Sequence, residues 1–318
     1  MESHIEQNRS AAGSGPATAQ SKWRSQKFRD HLSGYLYVSP FLIVFALFTL
    51  FPVLWSMYIS LFSWKLMGSK TFIGLQNYVW LFTDDPLFWK SVGNTFSMWL
   101  MGTIPQLFLA LFIATLLNAN LKGKRFFQVG VIVPNVTSLV AVAVVFISIF
   151  GANYGLMNYF TSEVLGFEKT NWQASYWHAQ IAVSVMVIWR WTGYNALIYL
   201  AALQSIPQEL YEASTIDGAS KFKQFLYITI PMIRPAIIFT IILSTIGGMQ
   251  LFVEPLIFAG NTGGQANQVL TMVLYLYDTA FAKNSFGYAS AIAWMLFVII
   301  MLFSLFNLYL SRKINSTT

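Results

Sequence analysis

Six stretches of this chain hold almost nothing but apolar side chains: residues 36–61, 92–117, 129–150, 177–202, 236–252 and 287–310. A helix needs about 20 such residues to cross the hydrocarbon core of a bilayer, so each stretch predicts a membrane-spanning α-helix. Within them the one charged residue is Arg190, in the fourth. Pro40, Pro52, Pro105 and Pro134 fall inside the predicted spans, where neighbouring helices and polar side chains can satisfy the backbone groups that proline frees. Another apolar patch, 269–277, is too short to span and predicts a re-entrant or interfacial element. The expected fold class is therefore all-α, a polytopic bundle of six transmembrane helices. Residues 1–30 are polar and then basic; they predict a disordered cytoplasmic tail ahead of a membrane domain over 31–318. They do not predict a signal peptide, because an apolar core should follow the basic region within a few residues. The first span is expected to remain as an uncleaved anchor.

The placement of lysine and arginine orients the bundle. With the N-terminus inside, the cytoplasmic segments hold Arg9, Lys22, Arg24, Lys27, Arg29, Lys122, Lys124, Arg125, Lys221, Lys223, Arg234, Arg312 and Lys313, and the outer ones hold Lys65, Lys70, Lys90, Lys169 and Lys283. Thirteen against five is the bias expected when both termini are cytoplasmic, and an even number of spans agrees. Composition adds that the chain is 56% hydrophobic and 10% charged, where soluble domains are about a quarter charged. The net charge of +7 is accounted for by these flanking residues, so no nucleic-acid partner is expected. The chain has no cysteine, which excludes disulfides, thiolate nucleophiles and cysteine metal sites. His4, His31 and His178 are too far apart in sequence to suggest a metal site.

The most informative polar segment is the cytoplasmic loop 204–235, which reads QSIPQELYEASTIDGASKFKQFLYITIPMIRP. Pro207 suits the first position of a helix, and Glu209 and Glu212 then fall where acidic groups complement the helix dipole. Asp217-Gly218 is a turn signal, followed by a second helical stretch from about Ser220. Two short helices joined by a glycine elbow are predicted at the membrane surface. Glu212-Ala213-Ser214, then Gly218, then Ile228-Thr229-Ile230-Pro231 resembles the EAA loop of permease subunits in binding-protein-dependent ABC importers, whose pattern is E-A-A, three residues, G, nine residues, I-x-L-P. The spacing matches throughout; Ser214 replaces the third alanine and Ile230 the leucine. Further segments resemble the sugar-importer branch of the maltose-transporter type: Phe72 to Tyr78, Asn94-Thr95, Tyr154 to Asn158, Leu200 to Pro207 and Phe286 to Ala291. The similarity runs over about 36–311. It departs at Gly263-Gly264-Gln265, where the family often has Gly-Gly-Pro.

The resemblance implies the type I importer permease fold in a bacterial plasma membrane. It also implies a second homologous permease, two ATPase subunits and an extracytoplasmic substrate-binding protein as partners. Glu212, Ala213, Ser214, Asp217 and Gly218 would then form the coupling element that docks on the ATPase. No G-x-x-x-x-G-K-[ST] sequence occurs, so ATP is expected on the partner subunit. The chain is expected to hold no cofactor or metal and no catalytic group, and not to be an enzyme. For the substrate path the candidates are Arg190, Trp191, Tyr194 and Asn195 in the fourth span, with Gln250 and Glu254 in and beyond the fifth. Aromatic faces and amides suit a sugar, and a charge within a span faces a bundle interior or water cavity. Ordinary packing remains the alternative for the aromatic residues, and a structural pairing for Arg190. Gly247-Gly248 is expected to permit close helix packing. A secondary transporter, a channel or a membrane scaffold compete as functions; a neutral di- or oligosaccharide is favoured over glycerol phosphate as cargo, because Arg190 is the lone basic group in the spans.

Overall fold

A computed structural model of the chain describes residues 35–65, 68–119 and 122–315, with side chains through residue 310. The tail expected over residues 1–30 lies outside them. The first apolar run forms helix α1, Tyr35–Ile59. A π-helical turn, Ala46–Leu50, interrupts it just before Pro52, whose ring removes one backbone donor from the ladder. Residues 35–58 form a unit of their own and hold no buried side chain.

The second unit begins at Ile59. Its one departure from the all-α expectation, among the described residues, is a two-stranded ribbon, β1 (Phe62–Ser63) against β2 (Thr71–Phe72), with Phe62 opposite Phe72. Helix α2 follows (Gln76–Thr83), and its buried Asn77 donates to the Ser60 and Phe62 carbonyls at 2.7 and 3.0 Å. Helix α3 (Pro86–Asn118) starts with Pro86 after the Asp85 cap, whose carboxylate accepts from the Phe88 N–H at 3.0 Å. The third apolar run becomes α4 (Lys124–Val136) and α5 (Leu139–Ile149), bent by 92°. A continuous third span was expected; the chain instead breaks at Thr137 and Ser138, two extended residues shortly after Pro134.

A short helix α6 (Leu156–Tyr159) leads to α7 (Tyr176–Gln204), the fourth span. The loop 204–235 holds α8 (Gln208–Ile216) and α9 (Lys221–Gln224), the latter continuing as a π-helix over Phe225–Thr229. Pro207 is the residue before α8 rather than its first helical position. The fifth span divides into α10 (Arg234–Gly248) and α11 (Val253–Ala259). The patch expected near 269–277 forms α12 (Met272–Tyr277), which runs on as a π-helix to Ala282, and α13 (Phe286–Asn315) is the last span. Among the described residues, five helices are thus long and apolar enough to cross a membrane, or six if the bent pair α4–α5 is one span.

Helices α3 and α7 pack along each other at the centre; α4 lies on α7, and α10 on α3 and α13. At the inner end Ala110 and Ala114 of α3 meet Ala196, Tyr199, Leu200 and Leu203 of α7 in one buried cluster with Ile206 and Ile233. Small residues at these positions let the two backbones approach closely, which drives association where lipid is as apolar as the side chains. Tyr211 and Ile228 of the elbow rest on this cluster, so the loop 204–235 is seated on the spans.

Candidate functional site

Each break in a span exposes backbone groups that no water can satisfy in a bilayer, and polar side chains complete them. Arg190 of α7 reaches across to the break in span three, where its guanidinium donates to the Thr137 carbonyl at 2.9 Å. In span five, Thr271 Oγ1 donates to the Leu251 carbonyl at 2.7 Å and also accepts from the Leu274 N–H at the start of α12. Glu254, 5% exposed, lies in the first turn of α11. Arg190 therefore donates to a backbone carbonyl, one of the structural pairings weighed for it.

One residue further along α7, a cavity of about 220 Å³ opens between α3, α7 and α10. Trp191, Tyr194 and Asn195 line it, together with Thr103, Gln106, Ser244, Gly247 and Gly248. The Trp191 and Tyr194 rings meet edge to face with centroids 5.9 Å apart. Asn195 donates to Ser244 Oγ at 3.1 Å. Gln106 is 2% exposed and its amide nitrogen has no protein partner, an expensive state for a buried donor unless something enters to accept from it. Of the residues expected on a path, three are gathered here. Gln250 is exposed in the break between α10 and α11, and it, Glu254 and Arg190 are not among the lining residues. Trp189 packs on Phe146, at 5.6 Å. Thr103, Gln106 and Ser244 were not singled out from the sequence, although Gln106 carries the same signal as Gln250: an amide within an apolar run.

At the outer end, buried amides hold the loop between α11 and α12. Asn94 donates to the Asn267 and Leu270 carbonyls at 2.8 and 3.1 Å. Gln180 donates to the Gln268 carbonyl at 2.9 Å and to Asn94 Oδ1 at 3.0 Å. Gln268 in turn donates to the Gln173 and Ala174 carbonyls. The Asp85 carboxylate accepts from the Tyr275 and Tyr288 hydroxyls at 2.5 and 2.6 Å, tying α12 and α13 to the start of α3. Burial and that carboxylate push the Tyr275 phenol well above its ordinary range, so it stays a donor.

The expected elbow is present at the inner end. Gly218 turns the chain with φ +77° and open space where a Cβ would stand. Glu212, Ala213 and Asp217 are exposed, Ser214 is half-buried, and Ile216 is 87% exposed. The loop thus offers a small apolar and acidic surface away from the spans.

Residues 106–316 match the family model described as the inner membrane component of binding-protein-dependent transport systems. The lactose transport system permease protein of Rhizobium radiobacter is 36% identical over 284 residues, covering 89% of this chain and 95% of that protein. The arabinooligosaccharides transport system permease protein of Bacillus subtilis is 34% identical, with 93% of each chain covered. The trehalose/maltose transport system permease protein of Thermococcus litoralis is 32% identical over 90% of this chain and 96% of its own. Among solved structures, a chain of a bacterial alginate ABC transporter in complex with an alginate pentasaccharide-bound periplasmic protein superposes with a TM-score of 0.78 at 22% identity, covering 92% and 97% of the two chains. That likeness confirms the expected permease fold. The relatives are transport components, in keeping with a chain that moves a substrate rather than transforms it. The matched model, the relatives aligned over nearly their whole length and the spans with their seated elbow together place this chain in the family of inner membrane components of binding-protein-dependent transport systems.

Proposed function

We propose that this chain is one permease subunit of an ATP-driven sugar importer and forms half of the translocation path for a neutral di- or oligosaccharide. The observation that carries the reading is the cavity between α3, α7 and α10, where the buried Gln106 amide lacks a partner beside Asn195, Ser244 and two aromatic rings. Rings cover the apolar faces of a sugar while amides and hydroxyls pair its hydroxyl groups. The lining holds no cation, and Arg190 outside it is engaged by the Thr137 carbonyl, which favours neutral cargo over glycerol phosphate. The sugars named for the relatives, lactose, arabinooligosaccharides and trehalose/maltose, agree with this class. The finer assembly is a second permease, two ATPase subunits that carry the ATP and dock at Glu212–Gly218, and an extracytoplasmic binding protein, with both termini cytoplasmic.

The test is uptake by the assembled transporter in proteoliposomes, offered labelled lactose, maltose, trehalose and arabinotriose, with glycerol 3-phosphate as the charged comparison. At least one neutral sugar should enter with ATP, and Gln106→Leu should cut that uptake at least tenfold while the complex still assembles. Uptake of glycerol 3-phosphate alone would overturn the cargo class. Full uptake by Gln106→Leu would remove the cavity from the path.

A further inference from the structure

The cytoplasmic elbow is closed by a residue outside the motif that marks it. Gln224, the last residue of α9, is 3% exposed. Its amide nitrogen lies 2.9 Å from Ser214 Oγ, 2.9 Å from Thr215 Oγ1 and 3.3 Å from the Tyr211 carbonyl. Both hydroxyls give their own protons to that same carbonyl, at 2.9 and 2.7 Å. Each keeps lone pairs, so what the group lacks is a donor, and a primary amide brings two N–H bonds. On the membrane side of the elbow, the Tyr211 hydroxyl pairs with Thr229 Oγ1 at 2.9 Å. The two arms, α8 on one side and α9 with its π-helical continuation on the other, are therefore joined twice across the turn. Without these joints the turn at Gly218, which is left-handed and where a Cβ would meet nothing within 4 Å, would be a hinge between a docking helix and the span it must move.

We infer that Gln224 is a positioning residue for energy coupling: its buried amide clasps α8 to α9, so that the elbow moves as one rigid lever. The inference rests on the reading that α8 receives the ATPase subunit. A hinge at that point would absorb the displacement of α8, whereas a clasped elbow hands it on to α7 and α10. Ser214 stands where the motif has alanine, so one acceptor of the clasp is this chain's own departure from the pattern and not part of it.

The test uses the complete transporter in nanodiscs, with its second permease, ATPase subunits and binding protein. Gln224→Met keeps the side-chain length and removes the donor; a Ser214→Ala and Thr215→Ala double variant removes two acceptors from the other side; a third protein combines all three changes. Backbone amides of residues 211–219 should exchange hydrogen at least tenfold faster in each. Stimulation of ATP hydrolysis by the binding protein should fall at least threefold while the ATPase subunit still copurifies. The combined variant should be no worse than either parent, because all act on one clasp. A purely structural contribution would lower thermal stability and leave the stimulation ratio of intact complexes unchanged. Unaltered exchange in Gln224→Met overturns the clasp, and faster exchange with full stimulation overturns the positioning role. Should Gln224→Met fail to reach the membrane, the double variant carries the same criteria. If the ATPase subunit does not copurify even with the unaltered chain, the docking reading falls instead, and the exchange rates still decide whether the clasp exists.

Discussion

Gly247 and Gly248 are neighbours in α10, yet the structure predicts opposite outcomes for replacing each with alanine. A Cβ on Gly248 would stand 2.7 Å from Trp99 Cδ1 and 2.9 Å from Thr103 Oγ1. Carbon atoms pack at about 3.5–4.0 Å, so the Trp99 ring would have to retreat by roughly 1 Å. Its freedom to do so is limited by Phe96 and Phe303, which pack on it with ring centroids 6.2 and 5.6 Å away. Overpacking of this kind costs about 1–3 kcal/mol. A Cβ on Gly247 meets nothing within 4 Å. Both substitutions gain the same helix propensity, up to ~1 kcal/mol, and that gain cancels when the two variants are compared with each other. Gly248→Ala should therefore be less stable than Gly247→Ala by about 1–3 kcal/mol. At about 2–4 °C per kcal/mol, the gap is readable as a difference in melting midpoint by intrinsic tryptophan fluorescence in one detergent. Equal midpoints, or a lower one for Gly247→Ala, would refute the close approach of α10 to α3.

Arg190→Met should leave the Thr137 carbonyl unpaired, lowering stability by about 1–3 kcal/mol in the same melting assay; an unchanged midpoint would show that the break in span three needs no partner. Gly218→Val should strain a left-handed position by about 1–2 kcal/mol and reduce copurification of the ATPase subunit, whereas Gly218→Asn should be tolerated. Glu212→Lys should weaken the same docking through charge while melting like the unaltered chain; full ATPase recovery from both Gly218→Val and Glu212→Lys would rule the loop out as the coupling element. A reporter fused after Thr318 should be active on the cytoplasmic face, and activity on the outer face would reverse the orientation drawn from the basic residues.

The spans and the elbow were legible because their signals are local. About 20 apolar residues suffice to announce a helix in lipid, and Asp217-Gly218 announces a turn wherever it occurs. The division of span three was less visible: Pro134 lies in the run, but proline is tolerated in spanning helices, and the side chain that pairs the Thr137 carbonyl at the 92° bend is Arg190, 53 residues away. The cavity was half legible. Trp191, Tyr194 and Asn195 stand together in the sequence and drew notice as a cluster, while Thr103, Gln106 and Ser244 are isolated polar residues on two other helices. They become a site where α3, α7 and α10 converge. Gln250 drew attention for the same reason that Gln106 merited it, and whether an amide in an apolar run is enclosed or exposed is decided by packing that composition does not encode.

The outer amides have a consequence for altering this protein. Asn94, Gln180 and Gln268 grip the loop through the carbonyls of Asn267, Gln268, Leu270, Gln173 and Ala174, and a carbonyl is the same whichever residue bears it. The path of the loop is thereby largely decoupled from the letters written on it. Exposed positions such as Thr262, Gln265 and Ala266 can be randomised as a library without rebuilding the scaffold beneath them, while the three amides themselves are positions a library must leave alone.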